Sequence, residues 1–437
     1  MKRCLFVSIG VICLVVLAAA DYPRLITHPQ IPTTTELAQL GLKRHWHTYI
    51  PIQGARDGIS FLQILHNQIV VQSRMGAVAS LDLEGGTTQW RVLPGVPYQA
   101  FQIPCGVNEH NIVVLAGGKL CGLDRKTGMT EWSLEVPGIP ATAAAADDEH
   151  LYVGTSDGMV RGYFLPFSLR QSLNYTSRSE FEEALRRRGL SSERINSRIP
   201  EMIWSYKLPA AMRVAPAVFG THVVLADGEG TVYSIENERR SVGDMFRAGG
   251  SVVADLAQTG DMFYLASLDR QVYAGEQVSG KMELRWRYTA GSKILQKPMP
   301  IGQDLFVVSK DEGMTRLDRF SGTAFWSLPS AKRFLAASHR LVIGLDDHNQ
   351  MLIIDRSRGS ILATWSAKAF TILSPNEYTD RIVLASHDGL ILCLRDMDPR
   401  CEQPTLHIPK TEPKKVAEPI VTDVPKKPKK ADMEMDK

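Results

Sequence analysis

The sequence has few cysteines and few of the signatures that mark enzymes. Six cysteines occur in 437 residues, no two of them are adjacent, and no pair has Cys-x-x-Cys spacing. This pattern excludes a disulfide-stapled mini-domain and provides no structural zinc site. A Walker loop, a His-Glu-x-x-His motif and an EF-hand loop are also missing. We therefore expect no metal and no cofactor.

An excess of charge of one sign is missing too. The 50 Lys and Arg residues nearly balance the 47 Asp and Glu residues, which leaves a net charge of +3. The basic residues are not gathered on one segment of the expected folded region, so the composition disfavours a nucleic-acid partner. Hydrophobic residues make up 44% of the chain, which is enough to build a large core.

The chain begins with an apolar run. Residues 4–17 are almost wholly apolar, follow Lys2 and Arg3, and precede three alanines at 18–20. This order predicts a signal peptide at residues 1–20 and export to the periplasm or the cell envelope, followed by a leader segment at 21–42. An uncleaved N-terminal anchor is the alternative, although the run is short for a spanning helix.

The cysteines of the exported part are even in number. Lipidation is disfavoured, because Cys13 follows Ile12 instead of a small residue. An oxidising compartment then allows one or two disulfides among the remaining cysteines, whose pairing the sequence does not give. These cysteines are Cys105, Cys121, Cys393 and Cys401.

The sequence repeats itself. Three segments, LDLEGGTTQW, LDRKTGMTEW and LDRFSGTAFW, end in tryptophan and share an aspartate eight residues before it and a glycine four residues before it. Alternating runs on both sides predict strands, so Asp-x-x-x-Gly predicts a turn with a capping carboxylate and a glycine at positive φ. A further apolar strand after each tryptophan makes four antiparallel strands per unit. The shared residues are Asp82, Gly86, Trp90, Asp124, Gly128, Trp132, Asp318, Gly322 and Trp326.

Turn signals before the third strand of a unit occur eight times. Asp227, Asp269 and Asp311 are spaced by 42 residues, and Asp347 and Asp388 follow at 36 and 41. Four strands in about forty residues is the period of a propeller blade. The sequence therefore predicts an all-β fold over residues 43–400, an eight-bladed β-propeller of four-stranded antiparallel blades. An N-terminal strand around Trp46 is expected to supply the outer strand of the last blade and close the ring.

The motif Asp-x-x-x-Gly-x-x-x-Trp at this period resembles the PQQ-like repeat family of β-propellers, which includes BamB-type outer-membrane assembly factors and quinoprotein dehydrogenases. Elsewhere the motif is incomplete: Trp365 follows Asp355 by ten residues, Trp204 and Trp286 lack the matching aspartate, and Phe246 stands where a tryptophan is expected. We expect all eight aromatic residues to fill the wedges between blades rather than to bind a ligand. They are Trp46, Trp90, Trp132, Trp204, Phe246, Trp286, Trp326 and Trp365.

Two segments depart from the repeat. Residues 166–200, between the third and outer strands of blade three, carry a capping box at Ser179 and Glu182 and predict one helix. Their basic residues suggest a docking element, with a lid over the same blade as the equal alternative. Residues 401–437 are rich in Lys and Pro and predict a disordered tail. The basic residues of the insertion are Arg186, Arg187, Arg188, Arg194 and Arg198.

These features favour a non-catalytic extracytoplasmic scaffold. Its partners would be envelope or secreted proteins, with at most a peripheral contact to the membrane, and the BamB-type role in outer-membrane assembly is the nearest analogy. The alternative is a PQQ-dependent dehydrogenase. The resemblance implies that such enzymes hold the quinone over the propeller axis beside a disulfide of adjacent cysteines, which this sequence lacks.

Overall fold

The computed structural model describes most of the chain between residues 29 and 407. The described residues are 29–52, 57–97, 99, 101, 103–147, 149–165, 179, 183, 199–220, 222–236, 241–278 and 281–407. The expected signal peptide lies outside them. Among the residues described, no helix has the length and the apolar character needed to cross a bilayer.

The described strands form eight four-stranded antiparallel sheets, and these are the blades of an eight-bladed propeller. The predicted fold is confirmed. Blades one to four contain β2 Ile59–Leu65, β3 Gln68–Ser73, β4 Val78–Asp82, β5 Thr88–Val92, β6 Gly106–Val107, β7 Asn111–Ala116, β8 Lys119–Asp124, β9 Thr130–Glu135, β10 Ala145–Ala146, β11 His150–Gly154, β12 Met159–Phe164, β13 Glu201–Lys207, β14 Ala217–Phe219, β15 His222–Ala226, β16 Thr231–Glu236 and β17 Ser241–Arg247.

The second half of the ring repeats this order and uses one strand from the N terminus. Blade eight has the strand order β1-β32-β31-β30. Blades five to eight contain β18 Ala257–Thr259, β19 Met262–Ala266, β20 Gln271–Val278, β21 Lys281–Thr289, β22 Met299–Ile301, β23 Asp304–Ser309, β24 Gly313–Asp318, β25 Ala324–Leu328, β26 Arg333–Ala337, β27 Leu341–Leu345, β28 Gln350–Asp355, β29 Ile361–Ser366, β30 Ile372–Leu373, β31 Ile382–Ala385, β32 Leu390–Asp396 and β1 Leu42–Tyr49.

Strand β1 closes the ring as predicted. It pairs with β32 from Leu42 opposite Asp396 to Tyr49 opposite Leu390. The helix α1, Thr34–Gln39, precedes it and begins with a capping box between Thr33 and Glu36. Leu37 of this helix is buried in the core between blades seven and eight. The segment expected as a leader is therefore packed against the propeller from α1 onward.

Burial decreases from the hub to the rim of each blade. The first strands of neighbouring blades contact one another, as β2 does with β30 and β6 with β10, so they line the hub. The middle strands are covered on both faces by the adjacent blades, and every residue of β3 and β27 is buried. This is why β27, with the sequence LVIGL, reads as a continuous apolar run. The outer strands alternate between exposed and half-buried positions, as in β17.

All eight ring aromatics lie on outer strands, one in each blade, as predicted. Four tryptophans donate the indole N–H to the next blade, where the acceptor is the carbonyl that directly follows the aspartate of an Asp-x-x-x-Gly turn. Each bond therefore joins neighbouring blades rather than parts of one motif. The bonds run from Trp46 to Leu83, Trp90 to Arg125, Trp286 to Arg319 and Trp326 to Arg356, at 2.8, 2.9, 3.1 and 2.9 Å.

The glycine of the accepting turn is the surface on which the indole rests. A Cβ added to Gly128 would lie 2.5 Å from the Trp90 ring, and one added to Gly86 would lie 2.4 Å from the Trp46 ring. Both glycines have positive φ, 71° and 67°. The aspartate shapes the same turn, since the Asp124 carboxylate accepts the backbone N–H groups of Lys126 and Thr127 at 3.0 and 2.7 Å.

A fourth such turn, absent from the three segments that match in sequence, occurs in blade seven. Gly359 has φ 73°, faces Trp326, and donates its N–H to the Asp355 carbonyl at 2.8 Å. The Asp355 carboxylate also accepts the Ser357 hydroxyl and the N–H groups of Arg358 and Ser357, and these bonds lower its pKa. Two extra residues before Trp365 hide this turn from the full motif.

The contact is incomplete where the next blade has no Asp-x-x-x-Gly turn. Trp132 faces blade three, in which the third strand ends at Phe164 instead of an aspartate. Trp204 faces blade four, in which the third strand ends at Glu236. Neither indole N–H has a hydrogen-bond partner among the described residues. Phe246 faces blade five. Because phenylalanine has no N–H group, its presence at this ring position avoids a buried donor without a hydrogen-bond partner.

The glycine contact predicts a large difference between two alanine substitutions. Gly118 and Gly128 both have positive φ, but a Cβ at Gly118 would meet nothing within 4 Å. The free energy of unfolding of the Gly118→Ala variant should fall by about 1 kcal/mol, from backbone strain alone. The free energy of unfolding of the Gly128→Ala variant should fall by about 2 kcal/mol more than that, because the methyl group displaces the Trp90 ring. Urea unfolding of both variants measures the difference, and equal losses would contradict the contact.

Candidate functional site

The two faces of the ring carry different turns. One face has the turns between the first and second strands and between the third and outer strands. We call it the terminal face, because α1 and residues 397–407 lie on it: Met397 donates its N–H to the Gly41 carbonyl at 3.0 Å. The other, the linker face, has the turns between the second and third strands and the links between blades.

The predicted docking arginines lie outside the described residues. Arg186, Arg187, Arg188, Arg194 and Arg198 all belong to the insertion 166–200, of which the structure describes Ser179, Glu183, Ile199 and Pro200. The insertion leaves β12 after Leu165 and returns into β13 at Glu201. These attachment points place both of its ends on the terminal face. The arginines therefore remain a prediction.

One loop of blade eight contacts several neighbouring blades. Residues 374–381, the hub loop, follow the innermost strand of blade eight and reach three other blades. The Asn376 N–H donates to the Leu335 carbonyl of blade seven at 2.7 Å, and the Glu377 carboxylate pairs at 2.8 Å with Lys297 at the start of blade six. The Tyr378 ring lies 4.5 Å from the His66 ring of blade one. Burial raises the pKa of the Tyr378 phenol.

A buried charge cluster joins the two ends of the propeller. Arg381 is 0% exposed and forms a two-pronged pair with the Glu84 carboxylate of blade one, at 3.0 and 2.8 Å. Its remaining donors reach Asp380 at 3.2 Å and the Cys401 carbonyl at 2.9 Å. His45 of β1 contacts Glu84 at 3.2 Å, and burial followed by repulsion from Arg381 lowers the His45 pKa. This closure cluster is a structural joint.

A second charged region lies on the terminal face between blades six, seven and eight. The buried Asp304 carboxylate accepts from Arg316 at 2.9 Å and from Arg356 at 2.8 Å. Arg340 pairs with the buried Asp396 at 2.6 Å. Asp304 and the three arginines border a cavity of about 540 Å3. The arginines that line it have carboxylate partners, so the region ties blades together instead of presenting free positive charge.

The segment after β32 is packed against blade eight. A 3-10 helix, Pro399–Cys401, follows the strand, and His407 donates its N–H to the Tyr378 carbonyl of the hub loop at 2.9 Å. The described chain therefore continues beyond residue 401, where the composition predicted a tail to begin. Burial, with repulsion from Arg356, lowers the pKa of His407 to about 4.

All four described cysteines are free and buried. Burial raises the pKa of Cys105 to about 12 and that of Cys401 to about 11, so these thiols stay protonated at neutral pH and are poor nucleophiles. The disulfides that the sequence allowed are not formed among the described residues.

One short pattern that could be taken for a catalytic motif has a structural role. Gly154-Thr155-Ser156-Asp157-Gly158 has nucleophile-elbow spacing, but it is the turn between β11 and β12, whereas the elbow needs a strand followed by a helix. The Asp157 carboxylate accepts from the Thr155 hydroxyl in this turn. No group of three His, Cys, Asp or Glu side chains fit to hold a metal ion occurs in the part of the chain that the structure describes.

His407 predicts that the C-terminal segment loosens in mild acid. Its folded pKa of about 4 lies below the unfolded value near 6.5, so neutral His407 stabilises the fold above pH 6.5, and that contribution falls as pH drops toward 4. Docking of residues 399–407 should weaken by about 2 kcal/mol from pH 7.5 to pH 5. Hydrogen exchange, corrected for intrinsic rates, should show this loss of protection at pH 5. The His407→Phe variant should lack the pH dependence. Unchanged protection of the native segment at pH 5 would contradict the prediction.

Comparisons with known proteins agree with this architecture. Residues 65–165 and 239–343 match the PQQ_2 family model, described as outer membrane protein assembly factor BamB. The crystal structure of BamB from Moraxella catarrhalis superposes with a TM-score of 0.59 at 16% identity, over 81% of this chain and 97% of that one. The computationally designed Ika8 protein superposes at 0.56 and 14% identity, over 78% and 97%. No curated protein sequence matches. The repeat, the eight closed blades and the match of two segments to the family model together support the PQQ-like repeat family of β-propellers for this chain.

Proposed function

We propose that the protein is a non-catalytic scaffold of the cell envelope that binds protein partners through its terminal face and supports outer-membrane protein assembly. The partner is another envelope or secreted protein, and the chain reaches it by export through residues 1–20. The insertion arginines, Arg186, Arg187, Arg188, Arg194 and Arg198, are the proposed contact.

The set of contacts made by the hub loop is the observation that carries this proposal. In the quinoprotein relatives that the sequence resembles, the cofactor lies over the propeller axis. Here the hub loop contacts blades one, six and seven through a ring contact, an ion pair and a backbone hydrogen bond. The buried charges of this region are paired with each other, so their role is to hold blades together.

The terminal face supports the choice of surface. Helix α1, both ends of the insertion and residues 397–407 are all on this side of the ring, and they are the parts that depart from the bare repeat. Additions to a repeat fold generally gather on its binding face. The BamB description of the matched family model supports a role in outer-membrane assembly.

Comparative capture from envelope extracts tests the proposal. The bait is the exported chain, and one variant replaces residues 168–199 with the blade-one turn Leu-Glu-Gly-Gly-Thr. A second variant changes the five insertion arginines to glutamate, while Arg91→Glu on the rim of blade one controls for altered charge. Both insertion variants should recover the specific partner at least tenfold less, and the control should not. An unchanged set of partners would contradict docking through the insertion.

A parallel assay separates the scaffold from the dehydrogenase alternative. The purified protein is mixed with pyrroloquinoline quinone and Ca2+, and reduction of a dye by alcohols or sugars is followed. The scaffold role predicts no turnover and no quinone binding at micromolar concentration. Turnover that depends on quinone would overturn it.

A further inference from the structure

The wedge between blades four and five is the one in which the ring tryptophan is replaced. Phe246 stands there and packs against Phe263 and Tyr273 of blade five, with ring centroids 6.2 and 6.0 Å away. Blade five has no Asp-x-x-x-Gly turn to receive an indole, since β20 and β21 extend as a long hairpin to Val278 and Lys281. The smaller ring therefore leaves space at the rim.

That space is an open groove of about 470 Å3, a volume in the range of ligand sites. The groove follows β21 from Met282 to Arg287, a span of about 17 Å for five residue steps. A β-bulge leaves Arg285 without a register partner, and the extra residue brings Arg287 to the same side of the strand as Met282 and Leu284. One wall thus presents two apolar side chains followed by a guanidinium.

Hydrogen-bond donors exceed acceptors in this groove. The Asp269 carboxylate is already occupied, because it accepts from the N–H groups of Gly249 and Gln271 at 2.9 Å each and from the Tyr273 hydroxyl at 2.5 Å. Arg247 has only a loose contact, 3.7 Å, with the exposed Glu229. Arg287 has no ion pair with any described residue, whereas its neighbour Arg285 is held by Glu276 and Glu283. The free groups are therefore the guanidinium N–H donors and one buried acceptor, the Gln271 Oε1, which has no partner among the described residues.

The apolar side chains of the groove are also partly exposed to solvent. Leu284 is 49% exposed on the wall, and Met282 and Phe246 are half-buried beside it. A flexible methionine adapts to different apolar side chains. The groove therefore combines an apolar strip with a cationic end, which is the complement of an extended segment with two alternating apolar residues followed by a carboxylate.

We propose that this groove, lined by Phe246, Met282, Leu284, Arg247 and Arg287, binds an extended acidic peptide segment of a partner protein. The apolar side chains of the segment lie on Met282 and Leu284, and its carboxylate accepts hydrogen bonds from Arg287 and Arg247. The inference deepens the proposed scaffold role and rests on it only in that the segment belongs to a protein partner. It does not depend on the insertion arginines.

Fluorescence anisotropy with the purified exported chain tests the groove. The probe is fluorescein-labelled Leu-Ser-Leu-Ser-Glu, and the control peptide ends in Lys. The Glu peptide should bind saturably, and the Lys peptide should bind at least tenfold more weakly. Arg287→Glu and Arg247→Glu should each weaken the Glu peptide about tenfold, the effect of a lost charge-assisted hydrogen bond. Phe246→Trp should also weaken it, because the indole fills the wedge.

Arg91→Glu is the matched control, since Arg91 follows Trp90 in β5 as Arg247 follows Phe246 in β17. It should leave the affinity unchanged. Far-UV circular dichroism and thermal melting check that each variant is folded. If the Phe246→Trp variant does not fold, the variants at the two exposed arginines still test the proposal. No saturable binding, or equal effects of Arg91→Glu and Arg287→Glu, would overturn the proposal. The variant lacking residues 168–199 retains the groove and should bind normally, so failure here is distinct from failure of insertion docking.

Discussion

An aromatic side chain on each outer strand packs against the next blade, and the rest of the structure depends on this contact. The indoles of Trp46, Trp90, Trp286 and Trp326 do this with both a hydrogen bond and a close fit against a glycine. The contact is directional, from one blade to the following one, so it orders the blades around a ring. The ring is completed only because β1 brings Trp46 to blade eight, which lets it contact blade one. Closure leaves no terminal blade with an uncovered face.

Charged groups reinforce the same joints nearer the hub. Arg381 of blade eight pairs with Glu84 of blade one, and Asp304 of blade six pairs with Arg356 of blade seven. Removing one partner of such a buried pair leaves an uncompensated charge, which is far more costly than the pair is stabilising. These arginines therefore serve the architecture. The groove at Phe246 differs, since its arginines have no buried carboxylate to satisfy.

Much of this architecture could be predicted from the sequence. The Asp-x-x-x-Gly-x-x-x-Trp spacing predicted turns and outer strands, and the eight turn signals before the third strands predicted the number of blades, because both depend on local backbone chemistry repeated at a fixed period. The lone strand around Trp46 predicted closure for the same reason. The turn at Asp355 and Gly359 carried the aspartate and the glycine at the right spacing but was obscured by two extra residues before Trp365.

The joints and the groove could not be predicted in this way. Arg381 and Glu84 are 297 residues apart, and nothing local to either position indicates the other. Nothing in the sequence of the hub loop indicates its contacts to blades six, seven and one, because these contacts depend on the curvature of the closed ring. Phe246 was recognised as the eighth ring position, but the consequence of its smaller size, an open groove with two guanidiniums, depends on which strands face it.

Hydrogen exchange of β1 at pH 7.5 tests ring closure most directly. If β1 leaves only when the ring opens, its amides should exchange with the same free energy as those of β32 and of the buried strand β3, and Trp46→Ala should lower all three together. Exchange of β1 that is faster than that of β32 by orders of magnitude, with β3 unaffected by Trp46→Ala, would contradict a ring held closed by this strand.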